Sequence, residues 1–233
     1  MEDMQDKRGV TLVAFKKGAE ARLFRGTWLE WEALYKIRTR KPYRHHLLDA
    51  QIRTSRTVNE ARILEKLACN GIPVPTLYEV DLDSCTIIME YINGKSIKDS
   101  LENGAVPSAR VFKELGNQVA RIHNAGIVHG DITTSNVLQV KGESRGTIPR
   151  IIDFGLAMFS TSLEDVSMDI HLFKRVLTST HAEYFAEIFP RFLEGYEEGR
   201  EYSSRGASID DILKRIERIE TRGRYVKKNK RMD

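Results

Sequence analysis

Four polar side chains stand at the ends of apolar runs in the second half of the chain. They are His129, Asp131 and Asn136 in "IVHGDITTSNVLQV" and Asp153 in "IIDFGLA". Loops of that composition at strand ends are where catalytic groups tend to sit, although two ordinary turns rich in turn-formers would look the same. The parts suit phosphoryl transfer, which needs groups that place a nucleotide and neutralise the charge on its phosphates. Two oxygen ligands can hold Mg²⁺ between phosphate oxygens, and one further carboxylate can orient or deprotonate an acceptor. Asp131, then Asn136 five residues on, then Asp153 before Phe154-Gly155, supply those three roles in order.

Such groups need rigid elements to hold them. Alternation from Thr11 to Phe24, interrupted by "KKGAEA", predicts two strands joined around Gly18, and "WEALYKIR" (Trp31 to Arg38) a third. A basic loop, "RTRKPYRHH", follows. "TSRTVNEARILEKLACNG" then carries Val58, Ala61, Leu64, Leu67 and Ala68 at helical spacing, with Gly71 as its stop. "PTLYEVDLDSCTIIMEYI" predicts a hairpin turning near Asp83-Ser84. Beyond Gly94 the pattern turns helical: Ser108 caps a helix ending at Gly126, and Val137 to Val140 and Pro149 to Ile152 form short strands. Asp165 to Arg222 is helical, its last helix opening at Ser208. The expected class is α+β in two lobes: residues 1–92 with an antiparallel sheet and one helix, and 93–221, mostly helical, with a basic, flexible tail over 222–233.

Composition sets the outer bounds. The 233 residues suffice for one large domain or two small lobes with a real core. The net charge of +4 is a modest excess that implies an anionic partner only where charges cluster. Two cysteines, Cys69 and Cys85, make no disulfide framework and lack metal-ligand spacing, so a reduced, intracellular protein is expected. The charged start, "MEDMQDKRGV", has no apolar core of a secretory signal, and no apolar run has the length of a membrane span. The expectation is a cytoplasmic protein with no membrane association, and a nuclear one as well if the source is eukaryotic.

The Asp131/Asn136 and Asp153-Phe154-Gly155 spacing matches the catalytic-loop and D-F-G elements of protein kinases. That scheme asks for a strand lysine on the nucleotide's phosphates and a helix glutamate to fix its ammonium. Lys36 on the third strand and Glu60 in the next helix meet it, although either alone would read as a solvated charge. "IIMEYI" falls where the strand enters the hinge. Glu90 and Ile92 would offer backbone groups to an adenine edge, and Met89 would line the pocket behind it.

The chain resembles the small atypical kinase subunit of the KEOPS (EKC) complex, the p53-related protein kinase family, which supports threonylcarbamoyl modification of adenosine in transfer RNA. The resemblance is carried by "KGAEA", "KIRTRKPYRHHLLD", "RTVNEAR", "GIPVP", "HGDITTSN", "IIDFGLA", "LEDVSMDIHLFKRVLTSTH" and the terminal "RGR", over nearly the whole chain. It implies ATP and Mg²⁺ as cofactors and Asp131 as catalytic base beside Lys36. Asn136 and Asp153 become the metal ligands, and Lys17, Gly18 and Glu20 a reduced phosphate loop. Asp169 resembles the helix aspartate that anchors the catalytic-loop backbone. Implied partners are the other KEOPS subunits, including the threonylcarbamoyltransferase and a small subunit on the N-lobe, and transfer RNA through the basic tail.

Departures from signalling kinases are equally legible. Gly130 replaces the catalytic-loop arginine and Thr133 a lysine that helps the γ-phosphate. "KGAEA" keeps one glycine, and no A-P-E element follows Gly155. These favour Mg-ATP binding with poor docking of extended peptides. Two alternatives remain at this stage: a small-molecule phosphotransferase of the aminoglycoside or choline kinase type, and a nucleotide-binding scaffold without turnover. For the tail, a nuclear-localisation reading of "KKNKR" competes with RNA contact.

Overall fold

The structure, a computed structural model, describes residues 3–18, 20–142, 146–200 and 208–229, the stretch 222–229 as helix backbone. The chain divides into two units, residues 1–93 with 152–156, and 94–151 with 157–233.

The first unit holds β1 (Met4–Gln5), β2 (Thr11–Lys17), β3 (Ala21–Trp28), β4 (Trp31–Arg38), α1 (His46–Cys69), β5 (Leu77–Asp81) and β6 (Thr86–Glu90). Its strands form one antiparallel sheet in the order β1-β2-β3-β4-β6-β5. Period-two alternation sorts the side chains. Leu12, Phe24, Ala33, Tyr35 and Ile88 form a buried cluster on one face. The register places Leu23 opposite Lys36, Leu34 opposite Met89 and Lys36 opposite Ile87, so these share the other face. Lys36 and Met89, two of the residues expected at a nucleotide, therefore lie on one side of the sheet. The β5–β6 turn is held by Asp81, whose side chain accepts from the Asp83 and Ser84 amides and from Ser84 Oγ.

Three boundaries differ from the sequence reading. β3 continues to Trp28, and β1 adds a strand from a segment that has no apolar run. The helix expected to start at Thr54 starts at His46, eight residues earlier. His45 makes no side-chain cap there. The first turns are instead fixed by buried Asp49, which accepts from the Lys41 amide at 3.2 Å and Arg53 Nε at 2.8 Å. A tertiary contact supplies the start signal that a local cap normally gives.

The second unit contains β7 (Lys95–Ser96), α2 (Ile97–Glu102), α3 (Ala109–Asn124), β8 (Ile127–Val128), β9 (Val137–Lys141), β10 (Thr147–Ile151), β11 (Met158–Phe159), α4 (Leu163–Thr180), α5 (Phe185–Gly199) and α6 (Ile209–Asn229). β9 lies between β7 and β10 in a small antiparallel sheet, and β8 pairs with β11. α6 runs eight residues past Thr221 into the segment read as a flexible tail; residues 230–233 lie outside the described residues.

α3 and α5 pack with their backbones in close approach. A Cβ built on Gly195 would stand 1.7 Å from the Lys113 carbonyl oxygen, and one on Gly116 1.9 Å from that of Phe192. Both contacts are with backbone, so a methyl group there forces the helices apart. Gly195→Ala is expected to cost about 1–3 kcal/mol or more. A thermal scan checks this, and an unchanged unfolding midpoint would show that the helices can separate freely.

Candidate functional site

In the first unit, four charged side chains meet. Lys36 Nζ donates to Glu60 Oε1 at 2.7 Å and to Asp153 Oδ1 at 2.6 Å, and Arg38 Nη2 donates to Glu60 Oε2 at 2.7 Å. Lys36 and Arg38 are i and i+2 on β4, so both point to the same face, where Glu60 arrives from α1. Glu60 is 1% exposed, Arg38 4% and Lys36 7%. Burial alone would lower the Lys36 ammonium, but the Glu60 and Asp153 carboxylates outweigh it and hold the group above its ordinary 10.5. Lys36 is therefore a fixed cation at neutral pH.

Asp153 has a positive φ of 64°, a left-handed backbone that a non-glycine residue adopts at a cost. Gly155 explains how the turn closes so near the lysine. A Cβ on Gly155 would stand 3.0 Å from Lys36 Nζ and 3.1 Å from Asp153 Oδ1, while its amide donates to the same Oδ1 at 3.2 Å.

In the second unit, Asn136 Nδ2 donates to Asp131 Oδ2 at 2.8 Å and to the Asp131 carbonyl at 2.9 Å. The short 3₁₀ turn Thr134–Asn136 sets that reach. Asp169, buried on α4, takes the His129 amide at 2.6 Å and the Gly130 amide at 2.8 Å. Burial would raise the Asp169 carboxyl, but the bond and charge of His123, with help from His129, bring it below its ordinary 3.8. His123 continues the chain: its Nε2 lies 3.2 Å from Asp169 and its Nδ1 2.8 Å from the Tyr196 hydroxyl. Burial pushes the Tyr196 phenol up to about 12, so it stays a neutral hydrogen-bonding group. The catalytic-loop backbone is thus anchored through α4, α3 and α5 together.

The other sequence candidates are placed as follows. Lys17 is exposed at the end of β2, and the Gly18 amide donates to the Ala21 carbonyl at 2.9 Å. The Glu20 carboxylate pairs with Arg56 at 2.8 Å and Arg44 at 3.7 Å. Met89 is buried on the face shared with Lys36. The Glu90 amide and carboxylate are both engaged with Thr76, and Ile92 is half-buried. "RTRKPYRHH" is not a uniformly solvated face: Arg38 is internal, and Arg44, mostly buried, faces Glu20 and Asp49. Arg38 could have been found from its two-residue offset from Lys36. His123 and Tyr196 left no comparable signal, because their meeting depends on how α3 and α5 pack.

Each unit by itself holds a hard oxygen donor of the kind Mg²⁺ prefers. In the second unit, the Asn136 amide nitrogen is spent on Asp131 and its carbonyl oxygen remains; in the first, Asp153 carries a carboxylate. Among the described residues no cluster of three or more His, Cys, Asp or Glu forms an all-protein metal cage. Magnesium on nucleotides commonly uses only one or two protein carboxylates with phosphate oxygens. No described helix is long and apolar enough to cross a membrane.

Comparison with known proteins places the fold and the family. The protein kinase domain model matches residues 36–186. Two solved structures of the Rio2 kinase from Chaetomium thermophilum, one an ADP/Mg²⁺-phosphoaspartate complex, superpose with TM-scores of 0.56 and 0.59. They share 17% and 16% identity and cover 91% and 90% of this chain and 70% and 73% of theirs. The fold and the two residue clusters define the kinase-like class, a two-lobed fold with a β-rich N-terminal part and a helical C-terminal part.

Sequence relatives narrow the class. The KEOPS complex subunit Bud32 of Pyrococcus abyssi is 39% identical over 217 residues, covering 90% of this chain and 94% of that protein. A probable bifunctional tRNA threonylcarbamoyladenosine biosynthesis protein of Methanocaldococcus jannaschii is 40% identical over 220 residues, but this chain spans only 38% of its length. Its counterpart in Methanococcus vannielii is 35% identical, and again this chain spans 38% of it. The chain belongs to the Bud32 family of protein-kinase-like proteins.

Proposed function

We propose that the chain is an Mg-ATP-using subunit of a KEOPS-type assembly, an atypical serine/threonine kinase or ATPase that supports threonylcarbamoylation of adenosine in transfer RNA. The observation that carries the ATP reading is the cluster of buried Lys36 and Glu60 with exposed Asp153, which fixes a cation on the sheet face shared with Leu34 and Met89. Lys36 places the α/β-phosphates, with Glu60 holding its ammonium. Asn136 and Asp153 would hold magnesium, and the ion would neutralise charge on the phosphate oxygens. Asp131, oriented by Asn136, accepts the proton of the attacking hydroxyl or water. The backbone around Gly18 and the Glu90 and Ile92 main chain contribute weaker contacts to phosphates and adenine.

The assembly reading rests on the names of the relatives. The longer relatives are named bifunctional, and our reading gives the chain a threonylcarbamoyltransferase partner and a small partner on the N-lobe. Phosphate release from Mg-ATP, measured with and without that transferase, tests this. Turnover that rises with the partner supports the reading, and no turnover in either case counts against it.

Transfer RNA is assigned to the basic C-terminal end, where Arg222, Arg224, Lys227, Lys228, Lys230 and Arg231 face one acid, Asp233. Deleting 225–233 is expected to weaken transfer-RNA binding by the complex, most at low salt, and to leave ATP binding intact. Equal RNA affinity with and without this segment across a salt titration would remove the assignment.

A further inference from the structure

Arg38 has no counterpart in the lysine–glutamate scheme. Its Nη2 holds Glu60, yet Nε and Nη1 are buried with no hydrogen-bond partner among the described residues. A buried cation with unmet donors is a cost to folding unless it does something. The charges around it show what that is. Lys36 and Arg38 against Glu60 and Asp153 sum to zero, whereas without Arg38 the cluster would carry one net negative charge. A negative cluster repels phosphates.

The hydrogen bonds add a second point. Lys36 divides its ammonium between Glu60 and Asp153, so its turning toward a polyphosphate draws charge away from Glu60. A buried carboxylate stripped of its partner is expensive. Arg38 keeps the second Glu60 oxygen paired throughout, so Glu60 and α1 need not shift.

We propose that Arg38 is a positioning residue of the nucleotide site, a second cation that holds Glu60 independently of Lys36 and so releases the Lys36 charge to an anionic polyphosphate. The inference rests on the Mg-ATP reading above. It acts through Glu60 and Lys36, and it gives the internal arginine of "KIR" a role distinct from the exposed basic residues that follow it.

The test uses the full chain with Mg-ATP as probe. Binding is titrated by calorimetry and the unfolding midpoint is measured without nucleotide, for wild type, Arg38→Met and Arg38→Lys. Arg38→Met is expected to bind Mg-ATP about tenfold more weakly, the size of one charge-assisted hydrogen bond. Its midpoint should fall as well, because Glu60 Oε2 loses its donor in the interior, so the recovery of affinity by Arg38→Lys separates positioning from stability. Arg38→Lys should recover most of the affinity. Wild-type affinity in Arg38→Met overturns the inference alone. So does a loss of affinity matched by a lowered midpoint, with Arg38→Lys giving no recovery: that is a structural role. Absence of Mg-ATP binding by the wild type overturns the nucleotide reading and this inference together.

Discussion

Glu60→Ala is expected to lower the unfolding midpoint more than any single change to the neighbouring cations. Glu60 is the only acid in the cluster that both Lys36 and Arg38 contact, and it is 1% exposed. Removing it leaves two buried cations with Asp153 as their one remaining carboxylate. Breaking a buried ion pair by deleting one partner costs about 3–5 kcal/mol, because the survivor stays desolvated and unpaired. For a chain of this length that lowers the midpoint by on the order of 10 °C. Combining Glu60→Ala with Arg38→Met should recover part of the loss, since one stranded cation is then gone. A thermal scan of the single and double variants decides it. A Glu60→Ala midpoint equal to wild type would mean that the two cations find other partners.

The second large effect is on chemistry. Asp131→Ala should reduce phosphate release from Mg-ATP by about 10²- to 10⁴-fold, the range for losing a positioned general base. The fold should persist, because the catalytic loop is not held by that carboxylate. Its backbone is held at His129 and Gly130 by Asp169, which His123 and Tyr196 support in turn. Asp131→Ala also frees the Asn136 amide, which loses one of its two acceptors and keeps the carbonyl. Nucleotide affinity should therefore fall far less than turnover. Unchanged turnover would take Asp131 out of the mechanism.

Much of this site could be read from the chain because its parts sit on short-range patterns. Lys36 lies on a strand whose alternation is plain, and Glu60 on a helix with a regular apolar stripe. Asp131 and Asn136 are five residues apart in one loop. Each needs only its own element to be recognised, and within each unit the structure brings partners together, Lys36 with Glu60 and Asp131 with Asn136. The features that were not legible depend on contacts between elements. The start of α1 at His46 is set by Asp49 reaching Lys41 and Arg53, and local capping chemistry gives no hint of it. Arg38 looked like the first member of a basic surface run. It is internal because strand alternation, continued two residues past Lys36, turns it to the same buried face. Tyr196 looked like any helical aromatic, and becomes part of the loop anchor only because Gly116 and Gly195 let α5 pack directly on α3. The continuation of α6 to Asn229 was masked by a composition that sequence rules assign to solvent.

The central claim is that the Lys36–Glu60–Asp153 cluster is a phosphate site for Mg-ATP. Calorimetric titration of Mg-ATP into the full chain and into Lys36→Met tests it most directly. The account predicts saturable, magnesium-dependent binding by the wild type that weakens at least about tenfold in Lys36→Met. Equal binding by both, or none by the wild type, would contradict it.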